Sequence, residues 1–406
     1  MNINAKNYTD DYGSITSDHR LKTTEATHLF NGSFIYDTSD LLWETYQSVG
    51  GTLTHLADSC GIRMAIGAAT GNTLIRQTKK YFRYTPNKTQ KLVVSIIFGT
   101  TKTGVLKRIG LFDSANGFFW EHRENGMYIV RRSSVTGSMV DTSVHSSSWN
   151  IDKLDGKGPS QIVVDWTKIQ LLYIEYMWQG SGCIVFSIQH GKKIHPVHVI
   201  QAGNELSEPH MGRPDLPIRY TIAAIPTETP AGADSFDAFS GSVITEGTGE
   251  EATSLTFGAD SGTTAKVTGQ RVPILTIRPK LTYNAITNRG FIEPIKAEVI
   301  SSGAAVVAEI VINGVIGSGV FNSVHSNSLT EYDNSGVFIT GGISLGKFYV
   351  PSGQKECFDR YEFKKNSIPI TIDSSGNLAT NLSIVVSPLA GGSASVHGLI
   401  NWKELQ

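Results

Sequence analysis

Two carboxylates come nearest to a catalytic pair in this sequence. Asp165 and Glu175 lie in the run QIVVDWTKIQLLYIEYMW, in what we expect to be two neighbouring strands. Paired carboxylates about 5–9 Å apart on a β-sandwich are how many glycosidases work. No local motif joins these two, and polar residues on the outward face of a sandwich explain both. We therefore predict no catalytic residue, and a glycoside hydrolase or lyase remains the enzymatic alternative.

Histidines and cysteines are the candidates for a metal site. His190, His195 and His198 follow the pattern H-x4-H-x2-H. On a strand, residues 195 and 198 point to opposite faces, so a metal would need a kink and a fourth ligand. The three cysteines have no paired short spacing and lie more than a hundred residues apart: Cys60, Cys183 and Cys357. The sequence predicts no metal, no disulfide framework and no cofactor.

Aromatic residues offer a different chemistry, because exposed rings on a β-sandwich can stack on sugars. Trp149, in the polar stretch HSSSWNID, is the tryptophan for which we predict a ligand contact. Trp166 and Trp178 lie at strand spacing, which is typical of core residues. The stretch GKGPS at 156–160 lacks the order of a phosphate-binding loop, and we predict a turn there.

Composition limits the class of protein. The chain has 406 residues, of which 17% are charged and 40% hydrophobic, and its formal net charge is −1. Such a balance does not steer a protein toward nucleic acid or an acidic membrane. The basic pairs are short, and we interpret them as solvated strand ends: Lys79–Lys80, Lys107–Arg108 and Arg131–Arg132. The N-terminus has no apolar signal segment, and no apolar run approaches the roughly 18 residues of a membrane helix.

The elements that must position these residues are strands. QIVVDW, QLLYIEYMW and CIVFSIQ run in series with short, turn-rich separators, which predicts an antiparallel meander. Leu172, Ile174 and Tyr176 share one face of the second of these runs. Asn125–Gly126 predicts a hairpin turn between two strand-like runs. DLLWETYQS at 40–48 is a short helical candidate.

Four segments follow from this pattern, and the predicted class is all-β. Residues 1–35 form a polar, extended N-terminal arm, and residues 36–225 form a first β-sandwich. Residues 226–270 are a Gly-, Thr- and Ser-rich connection that keeps some strand character. Residues 271–406 form a second β domain. We expect two β-sandwich domains of jelly-roll or concanavalin-like type.

Two sets of runs form a pattern from about Ile75 to Val350. The first half contains RIGLFDSANGFFWE, MYIVRRSS, SSWNIDKLDGKGPS, IVVDWTKIQLLYIEYMWQGSGCIVFSI and PDLPIRYTI. The second half contains SVITEGT, RPKLTYNAITNRGFIEP and SVHSNSLTEYDNSGVFITGGI. This pattern resembles a family of virion structural proteins of tailed double-stranded DNA bacteriophages. SVITEGT departs from the family pattern, which is richer in Cys and Gly at that point.

The resemblance implies a non-enzymatic particle component with a jelly-roll or concanavalin-like sandwich, and it transfers no catalytic or metal residue. We therefore expect a structural component of a tailed phage virion, associated with the tail, neck or baseplate. It would be made in the host cytoplasm, bind other virion proteins and form a homo-oligomer. A capsid decoration protein is one alternative. A carbohydrate-binding module that recognises a receptor, a host surface glycan, is another.

Overall fold

The structure is a computed structural model, and it divides the chain into two compact units, residues 1–250 and 251–406. The described residues are 16, 17, 22, 25–247, 254–262, 265–268, 270–359, 362–363, 369–377, 379–389 and 393–405. Most of the predicted arm at 1–35 lies outside them.

Strands make up almost all the regular structure of the first unit. Two 3₁₀ turns, Ala57–Ser59 and Ser146–Ser148, interrupt them. The strands are β1 (Ala26–Ser33), β2 (Trp43–Gln47), β3 (Gly51–Leu56), β4 (Gly61–Ile66), β5 (Thr73–Thr78), β6 (Gln90–Ile97), β7 (Val105–Phe112), β8 (Gly117–Arg123), β9 (Gly126–Ser133), β10 (Val140–His145), β11 (Gln170–Tyr176), β12 (Ile184–His190), β13 (Lys193–Ile200), β14 (Ile218–Ala224) and β15 (Asp234–Glu246).

These strands form two antiparallel sheets. The eight-stranded sheet has the order β13-β12-β11-β6-β15-β4-β3, and β1 pairs with β15. The seven-stranded sheet has the order β10-β9-β8-β7-β14-β5-β2. Non-consecutive neighbours such as β6 and β15 show that the chain crosses between sheets, so neither sheet is a simple meander. An antiparallel meander is present as β11-β12-β13; its first two strands are the predicted runs QLLYIEYMW and CIVFSIQ, and its third is Lys193–Ile200 in place of QIVVDW.

One hydrophobic core lies between these two sheets. Residues in β6 alternate strictly between buried and half-buried, as expected for a strand with one face on the core. Leu172, Ile174 and Tyr176 are buried in the shared core, as the sequence predicts. Burying apolar area contributes about 25 cal/mol per Å², so this core is the main source of stability in the unit.

Several predicted elements differ from the observed ones. QIVVDW is not a strand, because only Val163 makes a single bridge, to Asp155. DLLWETYQS is not helical, because it contains β2, whose Trp43 is buried in the core. The connection predicted at 226–270 contains β15, which is an interior strand of the eight-stranded sheet. The strand character predicted for SGSVITEGT at 240–248 is confirmed, but the strand begins earlier, at Asp234.

Strands also make up almost all the described regular structure of the second unit. Its strands are β16 (Leu255–Asp260), β17 (Ala265–Thr268), β18 (Val272–Pro279), β19 (Thr282–Tyr283), β20 (Ile286–Thr287), β21 (Phe291–Ser302), β22 (Val306–Gly317), β23 (Asn322–Ser323), β24 (Thr330–Asp333), β25 (Phe338–Val350), β26 (Lys355–Phe358), β27 (Leu382–Pro388) and β28 (Ser393–Leu405).

Two main sheets enclose a separate core in this unit. The sheet β16-β28-β21-β26, with β17 on β28, packs its apolar face toward the sheet β23-β24-β18-β27-β22-β25. Ile310, Ile384 and Trp402 are fully buried in this core. The all-β, two-sandwich class predicted from the sequence is confirmed.

Candidate functional site

The predicted carboxylate pair is not brought together. Asp165 is exposed in the turn before β11, where the hydroxyl and backbone N–H of Thr167 hold its pKa below the usual value. Glu175 lies near the other end of β11, buried and ion-paired with Lys22 at 3.4 Å and Lys91 at 3.0 Å. The strand from Gln170 to Glu175 alone spans about 16 Å. The two groups therefore cannot act on one glycosidic bond.

The three histidines likewise form no metal site, although His190 and His195 lie near each other in the β12–β13 hairpin. His190 is exposed at the end of β12, and His195 and His198 lie on β13. Burial lowers the pKa of His198 to about 4, and its Nδ1 accepts a hydrogen bond from the Asn150 backbone N–H at 3.2 Å. Within the described residues no three His, Cys, Asp or Glu side chains are grouped so that they could hold a metal ion.

Trp149 belongs to the core of the first unit. It is 3% exposed, and its indole packs edge-on against Trp120 with ring centroids 5.6 Å apart. Its Nε1–H donates to the Val144 carbonyl at 3.2 Å. The ring therefore presents no exposed face on which a ligand could stack.

The outer face of the seven-stranded sheet carries a cluster of charged and aromatic side chains. Alternation along β7 places Ile109 and Leu111 in the core and Arg108 and Phe112 on the outside. Cross-strand register then aligns neighbours in rows, with Arg108 opposite Glu121 and Glu121 opposite Tyr128. We call this cluster the arginine–aromatic face; it consists of Arg108, Phe112, Phe119, Glu121, Arg123, Tyr128, Arg132, Asp141 and Arg219.

Arginines neutralise both carboxylates of the arginine–aromatic face. Glu121 is fully buried; its Oε2 accepts from Arg108 Nε at 2.5 Å and its Oε1 from Arg123 Nε at 2.6 Å. Asp141 accepts two hydrogen bonds of 2.8 Å from Arg132. Burial acts to raise the pKa of Asp141, but the hydrogen bonds and positive charge of Arg132 outweigh burial and leave it lowered. Bidentate pairs of this kind also fix the orientation of both partners.

Aromatic rings support the guanidinium groups from below. Arg108 and Arg132 lie 5.2 and 5.3 Å from the ring centroid of Phe119, and Arg123 lies 4.7 Å from that of Tyr128. Attraction between a cation and an aromatic ring is worth about 0.5–2 kcal/mol, more where water is excluded. The rings therefore hold the planar cations flat against the sheet.

Gly110 allows this close packing at the centre of the face. It stands opposite Phe119 on one side and Arg219 on the other. A Cβ atom at this position would lie 2.2 Å from the carbonyl oxygen of Phe118. Any side chain here would push β7 and β8 apart, so the arrangement depends on glycine.

The interpretation of the basic pairs as solvated strand ends is wrong for three members, one of which is Arg108, which lies within β7 and is ion-paired with Glu121. Lys107 is fully buried; its Nζ lies 2.9 Å from Asp234 and donates to the Phe98 carbonyl at 2.8 Å. Arg132 is 6% exposed and belongs to the arginine–aromatic face. The signal in the sequence was alternation, because charged or aromatic residues occupy several outward positions of β7, β8 and β9, such as Arg108, Glu121 and Tyr128. Their neighbours in space could not be read from that pattern.

Comparisons with known proteins give a partial likeness only. No protein-family model matches the chain, and no curated protein matches it. Solved structures that resemble it include a Bacillus licheniformis beta-glucanase, with 7% identity over 55% of this chain and 98% of that chain, at a TM-score of 0.34. A glycoside hydrolase family 16 endo-glucanase from Bacteroides ovatus has 8% identity over 53% of this chain and 99% of that chain, at a TM-score of 0.36. An uncharacterized protein from Mycobacterium paratuberculosis has 11% identity over 53% of this chain and 99% of that chain, at a TM-score of 0.36.

These neighbours correct the functional expectation. A non-enzymatic component of a phage virion was expected, whereas the similar structures include glycoside hydrolases. At these identities and TM-scores the likeness extends to no particular residue or reaction of this chain. No helix among the described residues is long and apolar enough to cross a membrane.

Proposed function

We propose that the first unit binds a saccharide on the arginine–aromatic face. The observation that supports this most is the row of planar cations, each stacked on a ring and most fixed by a carboxylate. Arg108 and Arg123 hold Glu121 between them, so these side chains are ordered before any ligand arrives. Preorganised groups lose little conformational entropy on binding.

A saccharide fits the chemistry of this surface. Its hydroxyls both donate and accept hydrogen bonds, and the face offers guanidinium donors beside carboxylate acceptors. Tyr46 lies at one edge of this surface and is 59% exposed. It is in the same cross-strand row as Arg108, because it pairs with Ile75 of β5, and the row continues through β14 to Arg108 of β7. An exposed ring of this kind can contact the apolar face of a sugar.

The same geometry favours binding over cleavage. A glycosidase needs one carboxyl that can give up a proton to the leaving group. Arg132 keeps the pKa of Asp141 below its usual value, and Glu121 lies between two arginines. Neither carboxylate of the arginine–aromatic face is therefore arranged to act as a general acid.

Replacing Tyr46 tests the proposal at an exposed position where folding should not suffer. Tyr46→Ala is expected to weaken saccharide binding by about 1 kcal/mol, roughly fivefold, because the edge ring contact is lost. Binding is measured by calorimetric titration, with oligosaccharides first identified on a glycan array. Product analysis of the same mixtures detects any hydrolysis.

Tyr349→Ala is the matched control, because Tyr349 is a 69% exposed tyrosine of the second unit. It should bind like the wild type. Equal affinity of wild type and Tyr46→Ala would contradict the proposed surface. Binding of acidic peptides but no saccharide would assign the face to a protein partner, and hydrolysis of the saccharide would contradict binding without cleavage.

A further inference from the structure

Arg219 differs from every other arginine of the arginine–aromatic face. Arg108, Arg123 and Arg132 each pair with a carboxylate. Arg219 is 6% exposed, yet no carboxylate of the described residues lies within ion-pair distance of it. Its Nε donates to Gln77 Oε1 at 2.7 Å. No described residue accepts a hydrogen bond from its two terminal nitrogens.

Nearby acidic groups are engaged elsewhere and act on Arg219 only at a distance. Glu44 accepts a hydrogen bond from Gln77 Nε2 at 2.8 Å. Asp113 accepts from the backbone N–H groups of Ala115 and Asn116 at 2.7 and 2.8 Å. Burial lowers the pKa of Arg219, and repulsion from the positive charge of Arg132 also acts to lower it. An arginine nevertheless remains ionised in proteins, so Arg219 carries a buried positive charge that no carboxylate of the described residues pairs with directly.

The ring of Phe112 fixes the plane of this guanidinium. Arg219 lies 5.5 Å from the ring centroid, and Arg132 lies 5.9 Å from the same ring. Two cations therefore share one aromatic ring, and only Arg132 is neutralised by a carboxylate. A buried cation with unused donors is costly unless an anion completes it. The shape and charge of this site therefore match an oxyanion with two oxygens in one plane.

We propose that Arg219, held on Phe112, forms a subsite for the oxyanion group of an acidic saccharide, a carboxylate or a sulfate. This inference rests on the proposed function and names the substrate class of the same surface. The forked donors of the guanidinium bind two oxygens of the anion together. A neutral sugar carries no negative charge for Arg219 to bind, so this subsite does not increase its affinity.

The test compares three sugars at constant ionic strength: glucuronate, glucose 6-sulfate and glucose. Binding to the full chain is followed by NMR, with ¹⁵N-arginine labelling so that the Arg219 Nε–H resonance is seen directly. At least one acidic sugar is expected to bind about tenfold more tightly than glucose and to shift this resonance. Arg219→Lys keeps the charge but removes the fork, so the preference for the acidic sugar over glucose should fall about tenfold.

Arg63→Gln is the matched control. Arg63 pairs with Asp237 on the eight-stranded sheet, is half-exposed, and should leave the preference intact. The wild-type resonance gives an answer even if Arg219→Lys fails to fold. Equal binding of acidic and neutral sugars would overturn the subsite and leave the proposed function standing. Binding of inorganic sulfate at Arg219 with no sugar bound would support an anion site and overturn the saccharide assignment.

Discussion

Acidification from pH 7 to pH 4 is expected to destabilise the first unit by about 3 kcal/mol for each of two buried histidines. Burial lowers the pKa of His122 from 6.5 to about 4, assisted by the positive charge of Lys107. Burial alone lowers the pKa of His198 to the same value. The difference of about 2.5 between folded and unfolded pKa values corresponds to roughly 3 kcal/mol per histidine.

The direction follows from which state binds the proton. The unfolded chain protonates these histidines near pH 6.5, whereas the folded unit resists protonation until about pH 4. Their contribution to stability is therefore complete above pH 6.5 and is lost as the pH falls through that window. Asp215 has the opposite effect on stability: burial raises its pKa, so its protonation favours the folded unit as the pH falls. The histidine contribution must consequently be isolated by variants.

His122→Gln and His198→Gln provide that isolation, since neither amide titrates. Urea unfolding at pH 7, 5.5 and 4 should show each variant losing about 3 kcal/mol less than the wild type over this range. His190→Gln is the control, because His190 is exposed at the end of β12. It should retain the wild-type pH dependence. Parallel pH profiles for wild type and both buried variants would contradict the assignment.

Glu404→Ala is expected to destabilise the second unit by at least about 3 kcal/mol. Glu404 is fully buried, and its carboxylate accepts hydrogen bonds from four groups of this unit. These are the hydroxyls of Ser328 and Thr330 at 2.5 and 2.7 Å, the Leu329 backbone N–H at 2.7 Å, and Trp402 Nε1–H at 3.0 Å. Each buried donor left without a partner costs about 1–3 kcal/mol.

Glu404→Gln separates hydrogen bonding from side-chain volume. The glutamine amide keeps one acceptor oxygen but turns its nitrogen toward a donor. The loss of unfolding free energy in Glu404→Gln should therefore be greater than zero but smaller than in Glu404→Ala. Glu356→Gln, at an exposed position of β26, should change stability by less than about 0.5 kcal/mol. The transition of the second unit is measured by scanning calorimetry. A loss at Glu404→Ala no larger than that at Glu356→Gln would contradict the role of this carboxylate.

Hydrophobic alternation made most strands predictable. The run KLVVSIIFG matches β6, which alternates against a core, and LSIVVSP is β27, a short apolar run whose first five residues are all buried. Asn125–Gly126 marks the position of the β8–β9 hairpin, but the turn residues are Glu124 and Asn125. Gly126, which has a positive φ, is already the first residue of β9 and pairs with Arg123. QIVVDW was mistaken for a strand, since apolar and β-branched content does not supply a neighbour to pair with.

The arginine–aromatic face could not be predicted, because it is assembled by non-local register. β14 and β7 lie about a hundred residues apart in sequence, yet their pairing places Arg219 opposite Gly110. Asp165 and Glu175 were considered as a pair because they are close in sequence. The two carboxylates that do lie near each other are Glu121 and Asp141, which both form ion pairs with Arg108. Spacing along the chain indicated which residues share a strand face, but only the sheet order shows which faces meet.

The measurement that tests the central claim most directly is a crystal structure of the full chain with a bound acidic oligosaccharide. We expect the sugar to lie across the outer face of the seven-stranded sheet, in contact with Tyr46 at the edge and with its oxyanion on Arg219. An oligosaccharide seated on any other surface, with the arginine–aromatic face empty, would contradict the account.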